Sequence, residues 1–234
     1  VATQIRLLSG GAAQGLVQQL KDRFFRDSGC SVEGSFGAVG AMRDKLLAGE
    51  PCDLVILTQG LVNQLIADGH AVPGSQTPLG AVKTGVAVKS GEAVPDVATA
   101  SSLKAALLAA RGVYFPDPVK ATAGIHFMKV LNALGIAQEL APRLRPFPNG
   151  ATAMREMSEA REGGLIGCTQ VTEILYTPGV QLVGLLPPEF ELATVYTAAV
   201  CRAAQEPKAA AELIRLLAGP EAAAVRSAGG FEPV

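Results

Sequence analysis

Short apolar runs alternate with amphipathic stretches from the start of the chain. Residues 4–9 (QIRLLS) read as a strand that runs into Gly10-Gly11, after which Leu16, Leu20 and Phe24 recur at helical spacing. Residues 30–36 (CSVEGSF) form a second predicted strand, followed by a helix from about Ala38 to near Gly49. Residues 52–58 (CDLVILT) are apolar almost throughout, as buried parallel strands are, and a helix over GLVNQLIADG stops at Gly69. This strand–helix order predicts a parallel sheet covered on both faces.

The texture changes after Leu79. Residues 80–89 alternate as a strand, a loop follows, and SSLKAALLAAR reads as a helix with Ser101 or Ser102 as N-cap. A strand over GVYFP, a helix starting near Thr122, a strand at residues 144–147 and a helix entered through Asn149-Gly150 come next. GLIGCTQ, residues 180–185 and ATVYTAAV are further strands, and two alanine-rich helices split at Gly219-Pro220 end the chain. Two groups of βα units predict an α/β fold of two lobes, each a mainly parallel sheet flanked by helices, residues 1–80 with 194–234 and residues 81–193. The C-terminal helices return to the first lobe, and a cleft lies between the two.

Composition narrows the chemistry. Among 234 residues, 49% are hydrophobic and 18% charged, enough apolar chain for a core without covalent staples. Twenty Lys+Arg face 21 Asp+Glu with no basic stripe, which argues against nucleic acid as a partner. Trp is absent and aromatics make up 5%, which disfavours sugar stacking. Cys30, Cys52, Cys168 and Cys201 show no metal-ligand spacing and read as free thiols, with a Cys168–Cys201 or Cys30–Cys52 bridge as the alternative; no metal site is expected. No apolar run is long enough to span a membrane. The sequence begins at Val1 and not at Met, which fits export with a leader removed.

Four strand-to-helix junctions consist of small residues: Ser9-Gly10-Gly11, Gly37-Ala38-Val39-Gly40, Thr122-Ala123-Gly124 and Asn149-Gly150-Ala151-Thr152. In open α/β sheets ligands bind beyond the carboxyl ends of the strands, and amides of a first helical turn favour an anion. The set therefore points to a small anionic ligand, although each junction alone also reads as an ordinary turn or cap. SGGAAQG matches neither common phosphate-loop pattern, so no nucleotide and no other cofactor is expected. Neither G-x-S-x-G nor H-E-x-x-H occurs. His70 follows a helix end, whereas His126 sits in the first turn of the helix after Thr122. Arg43, Lys83, Lys120 and Arg155 are the cations nearest the expected site, Lys83 first among them because its strand crosses between lobes.

Residues 48–57 (AGEPCDLVIL), 82–97 (VKTGVAVKSGEAVPDV), 117–136 (DPVKATAGIHFMKVLNALGI), 171–189 (VTEILYTPGVQLVGLLPPE) and 213–233 (LIRLLAGPEAAAVRSAGGFEP) carry a resemblance across nearly the whole chain. The sequence resembles the periplasmic molybdate-binding protein family, a branch of the type II solute-binding proteins. The resemblance implies two α/β lobes that close on a small anion, a periplasmic location and the membrane subunits of an ABC importer as partners. The expected ligand contacts are Ser9, Gly10, Gly11, Gly37, Ala38 and Val39, Lys83, Thr122, Ala123 and Gly124, Asn149, Gly150 and Ala151, and Thr169 and Gln170; of these the resemblance implies the first two junctions and the Ala123-Gly124 turn.

The sequence departs from that family where hydroxyls are expected. Gly10 and Gly11 replace a serine, Gly37-Ala38-Val39 replaces a serine-rich loop, and Gly167 stands where a tyrosine would be. A tetrahedral oxyanion would lose most of its side-chain donors, each worth about 1.5–3 kcal/mol. An organic di- or tricarboxylate is therefore favoured over molybdate. The 171–189 pattern is similar to a divergent subgroup that includes aconitate isomerase, which implies a second activity for the same cleft: isomerisation of an unsaturated carboxylic acid, with His126, Glu173 and Lys83 as catalytic groups.

Overall fold

A computed structural model describes residues 3–234. In chain order it contains β1 (Gln4–Gly10), α1 (Gln14–Ser28), β2 (Ser31–Gly37), α2 (Val39–Leu47), β3 (Leu54–Thr58), α3 (Gln59–Ala67), β4 (Thr77–Lys89), α4 (Ala100–Ala109), β5 (Gly112–Pro116) and α5 (Thr122–Ala133). There follow α6 (Ala137–Leu140), β6 (Leu144–Phe147), α7 (Gly150–Glu159), β7 (Leu165–Gln170), α8 (Val171–Tyr176), β8 (Val180–Leu185), β9 (Ala193–Val200), α9 (Pro207–Ala218) and α10 (Ala223–Ala228). The chain divides into two compact units. The first runs up to Val82 and resumes at Thr194–Val234; the second is Lys83–Ala193.

In the first unit the strands run β2-β1-β3-β9. β1 is parallel to β2 and β3, with Gly10 opposite Gly37, and β9 is antiparallel to β3. All of β3 but its last residue is buried, as a strand covered on both faces must be. Leu16, Val17, Leu20 and Phe24 turn the apolar stripe of α1 onto this core, and Leu213, Ile214 and Leu217 of α9 pack into the same cluster. α1 stops at Gly29, whose φ of 72° is cheap only for glycine.

In the second unit the order is β4-β7-β5-β6, with β8 on the other edge of β4. β5 is parallel to β6 and β7, whereas β4 is antiparallel to both β7 and β8. Each unit's sheet is thus mainly parallel, as the strand–helix order predicts, with one antiparallel member in each, β9 in the first and β4 in the second. Hydrophobic periodicity cannot report the direction of these two strands. Two local expectations also change. The N-cap of α4 is Thr99, which exchanges hydrogen bonds with Ser102 in a capping box. α8, only six residues long, starts directly at the end of β7 and is too short to show a helical period.

Candidate functional site

Three strand ends in the second unit point the same way because β6, β5 and β7 are parallel. They bring the starts of α7, α5 and α8 to one edge of the sheet. Ala123 and Gly124 are buried in the first turn of α5, with Thr122 half-buried before them. A Cβ at Gly124 would overlap the carbonyl oxygens of Pro116 and Asp117, so only glycine lets this turn lie against the end of β5.

At α7, the Asn149 side chain caps the helix by accepting the Thr152 amide at 2.8 Å. The amides of Gly150 and Ala151 face the carboxyl of Glu173, which also takes the amide of Gln170 and the hydroxyl of Thr169 at 2.5 Å. Glu173 stands three residues after the N-cap of α8, so its side chain returns to the Gln170 amide as in one half of a capping box. The same carboxyl therefore joins two helix starts. Burial raises its pKa; the Thr169 hydroxyl and the amides of Ala151, Gln170 and Gly150 oppose that shift.

Gln170 and Thr84 stand opposite each other on β7 and β4. The side-chain nitrogen and oxygen of Gln170 and the hydroxyls of Thr84 and Thr172 are buried with no hydrogen-bond partner among the described residues. Sequence reading singled out neither threonine, because one threonine within an apolar strand gives no signal of what it faces.

Lys83 and His126 meet one short segment. Lys83 Nζ lies 3.2 Å from Glu191, and His126 Nε2 lies 2.7 Å from the carbonyl oxygen of the adjacent Phe190. A carbonyl only accepts, so Nε2 of His126 carries the proton of this bond. The three residues with implied catalytic roles are thus held in two settings: Lys83 and His126 on the 190–191 segment, Glu173 among the donors at α7 and α8. Of the other cations, Arg43 pairs with Asp44 and Arg155 with Glu156, while the Lys120 amide donates to Asp117.

In the first unit, the register of β1 and β2 sets the 9–11 and 37–39 junctions side by side. Ser9 is buried and donates to the Gly10 carbonyl at 2.9 Å. Gly11, Gly37, Ala38 and Val39 are also buried. A Cβ at Gly10 would stand 2.8 Å from Val39 Cγ1 and 3.1 Å from Tyr196 Cε1. Tyr196 on β9, buried and opposite Thr58, therefore joins these junctions. It was missed because an aromatic in ATVYTAAV reads as ordinary strand core.

Hydroxyls, a neutral amide and first-turn amides are the groups assembled at the strand ends of the second unit, a set suited to a polar or anionic small molecule. Among the described residues no group of three or more His, Cys, Asp or Glu could hold a metal ion, and no helix is long and apolar enough to cross a membrane.

Residues 5–232 match the model of the family described as bacterial extracellular solute-binding protein. Aconitate isomerase from Pseudomonas sp is 26% identical over 241 residues, covering 99% of this chain and 88% of that protein. The molybdate-binding protein ModA of Escherichia coli is 26% identical over 232 residues, covering 97% and 88%. Among solved structures, the periplasmic molybdate-binding protein of Azotobacter vinelandii superposes with a TM-score of 0.81 at 20% identity over 98% of this chain and 99% of that one. The sulfate-binding protein SubI of Mycobacterium tuberculosis superposes with a TM-score of 0.76 at 18% identity, covering 99% and 87%. The fold is that of periplasmic binding proteins.

Proposed function

Because the chain belongs to the bacterial extracellular solute-binding protein family, we propose that it binds a small organic di- or tricarboxylate in preference to molybdate. In this reading it serves an ABC importer in the periplasm and closes its two units on the ligand. The observation that carries the ligand class is the lining of the first-unit junctions. Gly10, Gly11, Gly37, Ala38 and Val39 offer backbone amides and space where the resemblance leads one to expect serine hydroxyls. A compact oxyanion needs many short side-chain donors, whereas a longer carboxylate fills the room that glycine leaves. The full-length similarity to aconitate isomerase supports the same class.

A melting screen tests the reading. A carboxylate at 100 times its Kd adds about 2.7 kcal/mol, a rise of roughly 5–10 °C for a chain of this size. A rise with molybdate or sulfate and none with cis-aconitate, trans-aconitate or citrate would overturn it.

A second reading has the same site isomerise an unsaturated tricarboxylate, and the relative from Pseudomonas favours it. Moving a proton across an allylic system needs an acid and a base within reach of the substrate. Glu173, whose carboxyl burial holds toward the protonated form, is the proton carrier in this scheme, with His126 and Lys83 as partners. Proton NMR of the protein incubated with cis-aconitate separates the readings. Appearance of the trans isomer establishes the enzyme; melting stabilisation without turnover leaves the carrier.

A further inference from the structure

The first turn of α7 has the form of an anion site, a ten-residue helix starting at a glycine beyond a strand end. It is already filled from within. The Glu173 carboxyl takes the Gly150 and Ala151 amides, the Gln170 amide and the Thr169 hydroxyl, while Asn149 takes the Thr152 amide. A Cβ at Gly150 would overlap both Glu173 Oε2 and Thr169 Oγ1, so the glycine is what admits the carboxyl. Glu173 and Thr169 are both buried. Four donors converging on one buried carboxyl, around a glycine that leaves room for nothing else, is a built arrangement.

We propose that Glu173 is an internal ligand of α7: its carboxyl occupies the amides that an inorganic oxyanion would otherwise take, and so discriminates against molybdate and sulfate. The occupation is by hydrogen bonding and by volume, so it holds whether the carboxyl is charged or not. An external anion must displace a group that is tethered in place and therefore present at high effective concentration. The polar groups left without a protein partner nearby, Gln170, Thr172 and Thr84, are neutral. An amide supplies both a donor and an acceptor, whereas a fully ionised oxyanion can use only the donor. The inference deepens the carboxylate reading and rests on it for the ligand that is accepted, but not for the ligands that are refused.

The test follows the Gly150 and Ala151 amide resonances and measures binding by calorimetry, with molybdate, sulfate and cis-aconitate as probes. In the unaltered protein, molybdate and sulfate are expected to leave both resonances where they are. Glu173→Ala opens the turn, and either oxyanion is expected to bind it at least about tenfold more tightly than the unaltered protein, with both amides shifting. Glu173→Gln keeps the side chain's volume and one carbonyl oxygen and is expected to stay closed. Oxyanion-induced shifts at Gly150 and Ala151 in the unaltered protein overturn the proposal, whether or not the alanine variant folds. So does a folded Glu173→Ala that gains nothing, or a Glu173→Gln that gains as much. The cis-aconitate arm reads the carboxylate proposal separately: failure to bind any of the three proteins counts against that reading and leaves the oxyanion arm intact.

Discussion

At Glu173, burial disfavours the charged form while Thr169 and the amides of Ala151, Gln170 and Gly150 favour it, and burial prevails. The pKa in the folded protein therefore lies above the ordinary 4.5, and the folded state holds the proton longer than the unfolded chain. The sign of the linkage follows. Glu173 contributes stability that is fully present below the ordinary carboxylate range and lost as pH rises through its raised value. Urea unfolding across that window is expected to show a decline that Glu173→Gln removes. The same substitution turns amide hydrogens toward the amides of Gly150 and Ala151, and should cost about 1–3 kcal/mol at low pH. Gly124→Ala is expected to destabilise by a similar amount, about 1–3 kcal/mol, because its Cβ meets backbone oxygens of Pro116 and Asp117 that cannot rotate away. Thermal melting reads that loss. Lys83→Ala is expected to weaken carboxylate binding in calorimetry; unchanged affinity would remove Lys83 from the site.

Among the elements, the strongest ties are side chains that join segments distant in sequence. Asp53, buried at the entry to β3, accepts the amides of Arg6, Gln205 and Glu206 at 2.8, 2.8 and 2.9 Å. It thereby fixes the start of α9 to the edge of β1 and β3. Asp53→Ala strands three amides together and is expected to cost about 3 kcal/mol, read as a lower urea midpoint. Sequence showed that CDLVILT is a buried strand but gave no sign of this role, because the partners lie 47 to 153 residues away. The α4 cap lies two or three residues earlier than expected for a different reason: Thr99, Ser101 and Ser102 are all competent N-caps, and hydrogen-bond geometry alone selects Thr99. α8 was not anticipated, since two turns of helix following a strand carry no period of their own.

Over the whole molecule, burial sorts the cysteines as sequence could not. All four thiols are free, the reading preferred over a Cys168–Cys201 or Cys30–Cys52 bridge, and Cys201 instead meets Cys52, Sγ to Sγ 3.5 Å. The hydrogen bond to Cys52, and then burial, push the Cys201 thiol up, and burial alone does so for Cys168. Half-buried Cys30 is therefore expected to react first with a thiol reagent in the native protein. Cys52, Cys168 and Cys201 should follow only on unfolding, which a timed mass-spectrometric count of adducts would follow.

The order of strands and helices, the apolar faces of α1 and β3, the small-residue turns at strand ends and the family resemblance were all present in the sequence. Each rests on residues a few positions apart, where helical and strand periods constrain neighbours directly. Strand direction in β4 and β9, the meeting of Gly10 with Val39 and Tyr196, and the filling of α7 by Glu173 were decided only in three dimensions. A helix start reads as an anion site until one knows which side chain reaches it. That depends on the parallel pairing of β6, β5 and β7, which carries residues 150 and 173 to the same sheet edge.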